Sequence, residues 1–287
     1  MINLKEWEAK HKSIILSNEQ LSFIDTEIKK NTLLIFHGFG SSSFEFYKII
    51  SDLEKHYRIV IVDLIGFGLS SKPKNYYNSI LDHAQNILEL IKHLNITTFS
   101  VLSHGFGTSI FCELLNIVES YALKIKIEEI FLLNGSLTIE ATKNKTAQDI
   151  IENEITNKFI KITISYEFFK KYYKESLGKD DAISNEDFKI LWLLQNKNNG
   201  GKVISFIDYS IKERKLYSEK WINILKLYHN NIHIIWGNND VLSPVLSAQK
   251  LQKYLNVNKI NFIEDCGHFP MLEKPKQLSE FILSLKK

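Results

Sequence analysis

Cysteine is nearly missing from this chain: two residues, Cys112 and Cys266, in 287. Two thiols cannot build a disulfide framework, and such sparing use fits a reducing compartment. Proline (4) and glycine (12) are also scarce, which excludes collagen-like and low-complexity chains. Neither charge sign dominates, since 36 basic and 33 acidic residues leave a net charge of +3. The two signs alternate without the dense cationic block that nucleic acid would require. No apolar run is long enough to cross a bilayer, and the acid-bearing first eight residues lack the apolar stretch of a secretory leader. The nine His and two Cys show no metal-ligand spacing, so neither a metal nor another cofactor is expected. What remains is a chain 44% hydrophobic and 12% aromatic, long enough to bury a large core. These features predict a cytoplasmic protein that meets a small molecule; the oligomeric state stays open.

Short β-branched runs punctuate the sequence at residues 32–36, 58–62, 99–103, 130–133, 232–236 and 259–263. Continuous apolar runs of this length predict strands buried on both faces, hence a parallel sheet. Helix-period segments lie between them, at 44–55, 79–94, 108–122, 244–254 and 277–286. In the second of these, Ile80, Ala84, Ile87, Leu88, Ile91 and Leu94 share one face. Alternating strand and helix predicts a doubly wound, mostly parallel α/β sheet.

The alternation stops between residues 137 and 228, where the pattern is helical and aromatic-rich (Tyr166, Phe168, Phe169, Tyr172, Tyr173, Trp192, Phe206, Tyr209, Trp221). An insertion there predicts a helical lid, residues 137–228, over the strand C-termini of a core formed by residues 1–136 and 229–287. Most of these aromatics are expected to pack the lid itself.

The chemistry-bearing residues follow the predicted strands. Ser103-His104-Gly105-Phe106-Gly107 sits at a strand-to-helix junction, with small residues two before and two after its centre, Gly105. His37-Gly38-Phe39-Gly40 follows the first apolar run. Asp63-Leu64-Ile65-Gly66-Phe67-Gly68-Leu69-Ser70 follows the second. Trp236-Gly237-Asn238-Asn239-Asp240 and Cys266-Gly267-His268-Phe269-Pro270 close the last two. Asp63 is expected to order its loop through backbone N–H groups, and Glu264 and Asp265 to be solvated. Asp240 reads either as a turn-forming Asp or as an acid at a strand end. Ser103 fills a required small position and Cys266 lacks a paired base, so neither is a strong replacement nucleophile.

Together these motifs resemble the α/β-hydrolase fold family, over most of the chain and in its order of nucleophile, acid and histidine. Within it, Leu102-Ser103-His104-Gly105-Phe106-Gly107 is similar to the L-S-H-D-Y-G of the mesoderm-specific transcript proteins. Their branch includes epoxide hydrolases and haloalkane dehalogenases. The resemblance implies a triad acid at Asp240, a triad histidine at His268 and oxyanion donors in the backbone N–H groups of Phe39 and Phe106. It also implies ligand contacts at His37, Gly38, His104 and Trp192. The nucleophile position falls on Gly105, where that branch carries Asp. Phe106 stands where dehalogenases use a halide-binding Trp, which argues against dehalogenation.

Glycine tolerates the positive φ of such a bend and removes the attacking atom, so covalent hydrolysis through this position is excluded. The aromatic lid and the oxyanion loop imply a small, largely apolar ester- or epoxide-like ligand. Three readings stay open: an inactivated hydrolase, His268–Asp240 general-base chemistry through a bound water, and a ligand-binding module without turnover. The Gly38-Phe39-Gly40 turn with Asp63 also mimics, incompletely, a dinucleotide-binding fingerprint.

Overall fold

A computed structural model describes residues 2–16, 18–74, 77–137, 165–179, 182–200 and 207–285. Its centre is an eight-stranded sheet in the order β1-β2-β4-β3-β5-β6-β7-β8. The strands are β1 (Lys12–Leu16), β2 (Glu19–Asp25), β3 (Thr32–Phe36), β4 (Arg58–Asp63), β5 (Thr98–His104), β6 (Lys126–Leu133), β7 (Ile232–Gly237) and β8 (Ile260–Ile263). From β4 to β8 along the sheet every pairing is parallel, while β2 runs antiparallel to both β1 and β4. The six parallel strands match the six predicted runs. The central ones are enclosed because helices cover both faces; Leu33, Leu34, Ile35, Phe36, Val101 and Leu102 are all fully buried.

The hairpin of β1 and β2 was not anticipated. β1 is an edge strand exposed over most of its length, and β2 mixes Glu, Gln and Ser with its apolar residues, so neither reads as a strand buried on both faces. The dinucleotide-binding alternative is overturned by the strand order, because the sheet lacks the 3-2-1-4-5-6 arrangement of that fold.

Among the described residues the helices are α1 (Leu4–Glu8), α2 (Tyr47–Leu53), α3 (Ile80–His93), α4 (Phe106–Ser120), α5 (Tyr166–Glu175), α6 (Asn185–Asn196), α7 (Ile207–Lys226), α8 (Val245–Leu255), α9 (Pro270–Glu273) and α10 (Pro275–Ser284). Ser79 caps α3 by accepting from the Asp82 N–H at 3.3 Å, and Ile80, Ala84, Ile87, Leu88 and Ile91 are buried as their spacing requires.

Helices α5, α6 and α7 fall between β6 and β7 in the chain, within the range predicted as a lid. Residues 138–164 of that range, with Gly201 and Phe206, lie outside the described residues, as does Lys286. Helix α7 packs along α4. Its fully buried Trp221 donates from Nε1 to Glu113 at 2.6 Å, so this aromatic belongs to the flank of the sheet.

The parallel strands all end on one side. His37 follows β3, Asp63 closes β4, His104 closes β5, Asn134 follows β6, Asp240 lies beyond β7 and His268 beyond β8. Residues far apart in sequence thus meet along one rim, where open α/β sheets bind their ligands.

Candidate active site

Gly105 forms the bend between β5 and α4, with φ 51° and ψ −115°. This is positive-φ backbone that a side chain occupies only under strain, of about 1–3 kcal/mol. Its N–H donates to the Leu133 carbonyl at 3.2 Å, fixing the bend to the next strand. Two residues on, a Cβ on Gly107 would fall 2.7 Å from Phe36 Cβ and 2.8 Å from its carbonyl oxygen. Here the crowding of strand and helix makes a small residue obligatory. At Gly105 itself a Cβ meets only ordinary contacts, 3.6 Å from both His268 Nε2 and Gly38 Cα. A side chain at this position would therefore fit, next to the imidazole.

The imidazole is held by Asp240, whose Oδ2 lies 2.8 Å from His268 Nδ1. The carboxylate also accepts from Asn134 Nδ2 at 2.6 Å and, through Oδ1, from the Leu242 and Ser243 N–H groups at 2.8 Å each. Four donors satisfy a carboxylate with no exposed side-chain surface. Nδ1 must then carry the proton, which leaves the Nε2 lone pair toward Gly105, with no hydrogen bond to it from the described residues. Burial pushes the His268 imidazole down, but Asp240, with Glu45 and Glu273 behind it, outweighs that and moves its pKa above the usual value.

The histidine loop is braced on every side. His268 N–H donates to the Ser176 carbonyl at 2.9 Å. The flanking Gly267 and Phe269 N–H groups donate to the Glu273 carboxylate. The His268 carbonyl lies 2.9 Å from His104 Nε2, and His104 Nδ1 lies 2.8 Å from Glu45 Oε1. Both His104 ring nitrogens are thereby engaged. Glu45 Oε1 also accepts the Gly38 N–H at 3.1 Å. Burial raises the Glu45 carboxyl, yet the His104 ring, aided by His37, holds it below the usual range. Glu45 thus ties the loop after β3, the β5 bend and the histidine loop together. In the sequence it stood only as part of a helix entry; the signal was an acid between Phe44 and Phe46, with apolar neighbours on both sides.

Two expected ligand contacts are corrected by this network. His37 and His104 are fully buried. His37 Nδ1 donates to the Gly38 carbonyl at 2.7 Å, and its Nε2 accepts the Leu64 N–H at 3.0 Å. Neither ring has a nitrogen left for a ligand. Trp192 packs against Phe169 and Tyr166, among the aromatics of α5 and α6. The aromatic that reaches the histidine loop is Tyr173, stacked on Phe269 with centroids 4.8 Å apart. Gly38 lies beside Gly105, and the Phe39 and Phe106 rings meet edge-on at 5.4 Å, so the two residues expected to donate through their backbone are neighbours.

A family model described as the alpha/beta hydrolase fold matches residues 31–275. The chain belongs to the α/β hydrolase fold family. LipZ of Mycobacterium tuberculosis is 25% identical over 254 residues, 88% of each chain. The human mesoderm-specific transcript homolog protein is 26% identical over 250 residues, covering 85% of this chain and 75% of that protein. Among solved structures, Cfl2 from Burkholderia cenocepacia superposes with a TM-score of 0.78 at 15% identity, over 96% of this chain and 95% of that one. The epoxide hydrolase CorEH superposes with a TM-score of 0.76 at 16% identity, over 96% and 97%. At these identities the solved structures show the shared fold alone.

In this α/β hydrolase fold chain the remaining predicted residues take structural places. Asp63 accepts the Ser43 and Leu69 N–H groups at 2.7 Å each, and a Cβ on Gly68 would collide with it at 2.2 Å. Ser103 Oγ is buried against Thr108 Oγ1 at 3.2 Å. Cys266 is buried and its thiol pushed well up, first by burial, which removes the thiolate a nucleophile needs. Glu264 and Asp265 are exposed as expected. Among the described residues, no cluster of three or more His, Cys, Asp or Glu could hold a metal ion, and no helix is long and apolar enough to cross a membrane.

Proposed function

We propose that this α/β hydrolase fold protein binds a small, largely apolar ester- or epoxide-like molecule between the β5 bend and the histidine loop. In this reading Asp240 and His268 are the acid and base of a hydrolase triad, and Gly105 occupies the nucleophile position without an attacking atom. The Phe39 and Phe106 N–H groups serve as oxyanion donors; Phe106 opens α4, where first-turn N–H groups lack intrahelical partners. Helices α5 and α6 form a lid over the site, a reading supported by Ser176 and Tyr173 against the histidine loop. The observation that carries the proposal is the 3.6 Å between a Gly105 Cβ position and His268 Nε2.

The unbonded Nε2 favours a second reading, in which a water beside Gly105 is deprotonated by His268 and attacks the ligand directly. The deciding experiment screens p-nitrophenyl acetate, p-nitrophenyl butyrate and styrene oxide with the parent chain, Gly105→Ser and Gly105→Asp. A silent parent with gain on substitution, on the order of 10³-fold or more given what nucleophile loss costs, supports the hydrolase-triad reading. Turnover by the parent that disappears in His268→Ala supports the water route. Saturable binding with no turnover in any variant sinks both and leaves a ligand-binding module.

A further inference from the structure

Arg214, on α7, is a half-buried cation that the proposed mechanism does not use. Its Nη2 donates to the carbonyl of Ser136, three residues past Leu133, whose own carbonyl accepts the Gly105 N–H. That segment is pressed onto the first turn of α4, since a Cβ on Gly135 would fall 2.0 Å from Thr108 Oγ1. The guanidinium therefore stands on the segment that follows β6, two residues past Asn134, which holds Asp240.

The rest of the group is unmatched. Nε is enclosed without a hydrogen-bond partner, although the residue as a whole retains some exposure. Among the described residues no carboxylate pairs with it. Glu213, its neighbour in sequence, turns away to Ser79 Oγ at 2.7 Å and the Ile80 N–H at 2.6 Å. Glu113, on the facing helix, is taken by Trp221 and Lys220. Burial pushes the guanidinium down to about 10. A buried charge is normally paired, and a guanidinium fork with donors left over is matched best by a planar anion.

We infer that Arg214 binds the carboxylate of a ligand whose other end lies at Gly105 and His268, so that the ligand is an anionic, bifunctional molecule. This rests on the site reading above and narrows it: the apolar body stays, and one end carries a carboxylate. Arg214 is then a specificity-determining residue, fixing which end of the molecule meets the imidazole.

Calorimetric titration of the parent chain with monomethyl glutarate and with its neutral analogue methyl valerate tests this without any turnover. The carboxylate compound is expected to bind at least tenfold more tightly and to shift the His268 imidazole NMR signals. Arg214→Gln is expected to abolish the difference while leaving methyl valerate unchanged. Arg214→Lys, which keeps the charge without the fork, serves if the Gln variant does not fold, and should lose most of the preference. Equal affinities in the parent, a preference that survives Arg214→Gln or Arg214→Lys, or unmoved His268 signals would each overturn the inference. If Gly105→Ser stays silent on esters while the Arg214-dependent binding persists, the hydrolytic reading fails and this one stands.

Discussion

Gly105 carries only hydrogen where the proposed reading places an attacking side chain, and Asp240 and His268 stand beside it. The Asp240 carboxylate is the most informative of them, because its oxygens accept from four donors and none is left open. Asp240→Asn would replace an acceptor facing Asn134 by a donor and remove the charge that holds the His268 pKa up. Only Glu45 and Glu273 would then oppose burial, so the imidazole pKa should fall, as NMR across pH 4–9 would read. In a Gly105→Ser background the same change should lower kcat by about 10⁴ if Asp240 orients a working base. The sign of the pH dependence follows from the raised pKa of His268. Its charged form favours the folded state, so this contribution is full below about pH 6.5 and fades as the pH climbs through the folded-state pKa. Base chemistry runs the other way and switches on over that same upper range.

At the scale of elements, the β3 loop, the β5 bend and the histidine loop are one unit because Glu45 and His104 join them. Glu45→Gln leaves His104 facing a poor acceptor inside the protein, and breaking a buried pair in this way costs about 3–5 kcal/mol. A fall in thermal midpoint, with the His268 resonance broadened or displaced, is the expected result; an unchanged midpoint would mean the pair is not braced as drawn. Because the Glu45 carboxyl is held low, its stabilisation is present above about pH 4.5 and is lost as the pH falls through the depressed value. The elements themselves were legible where a strand is apolar on both faces or a helix has one apolar face, as at residues 32–36 and 79–94. The β1–β2 hairpin was not, because an edge strand mixes polar and apolar residues. Ring partners were the least legible: His37 and His104 sit beside the reacting region in sequence, yet their nitrogens are consumed by backbone and carboxylate. No local pattern announces that, since the partners Leu64, Glu45 and His268 come from other segments.

Across the whole molecule, the parallel sheet gathers six strand ends onto one rim, and that arrangement was readable from the order of motifs along the chain. The division of the inserted helices was not, because α7 is aromatic like its neighbours but is sewn to α4 by Trp221 and Lys220 through Glu113. Trp221→Ala should cost about 3–5 kcal/mol by emptying a fully buried site. At this chain length that corresponds to a drop in melting temperature of roughly 5–8 °C, measurable by calorimetry. The bend at Gly105 has one more implication. With no Cβ, the chain avoids roughly 1–3 kcal/mol of conformational strain, a sizeable part of the 5–15 kcal/mol that typically holds a domain together. Under the proposed reading, a side chain placed there would bring back that strain and little else, since its Cβ meets only ordinary contacts, so a Gly105→Ser chain should fold and be only slightly less robust.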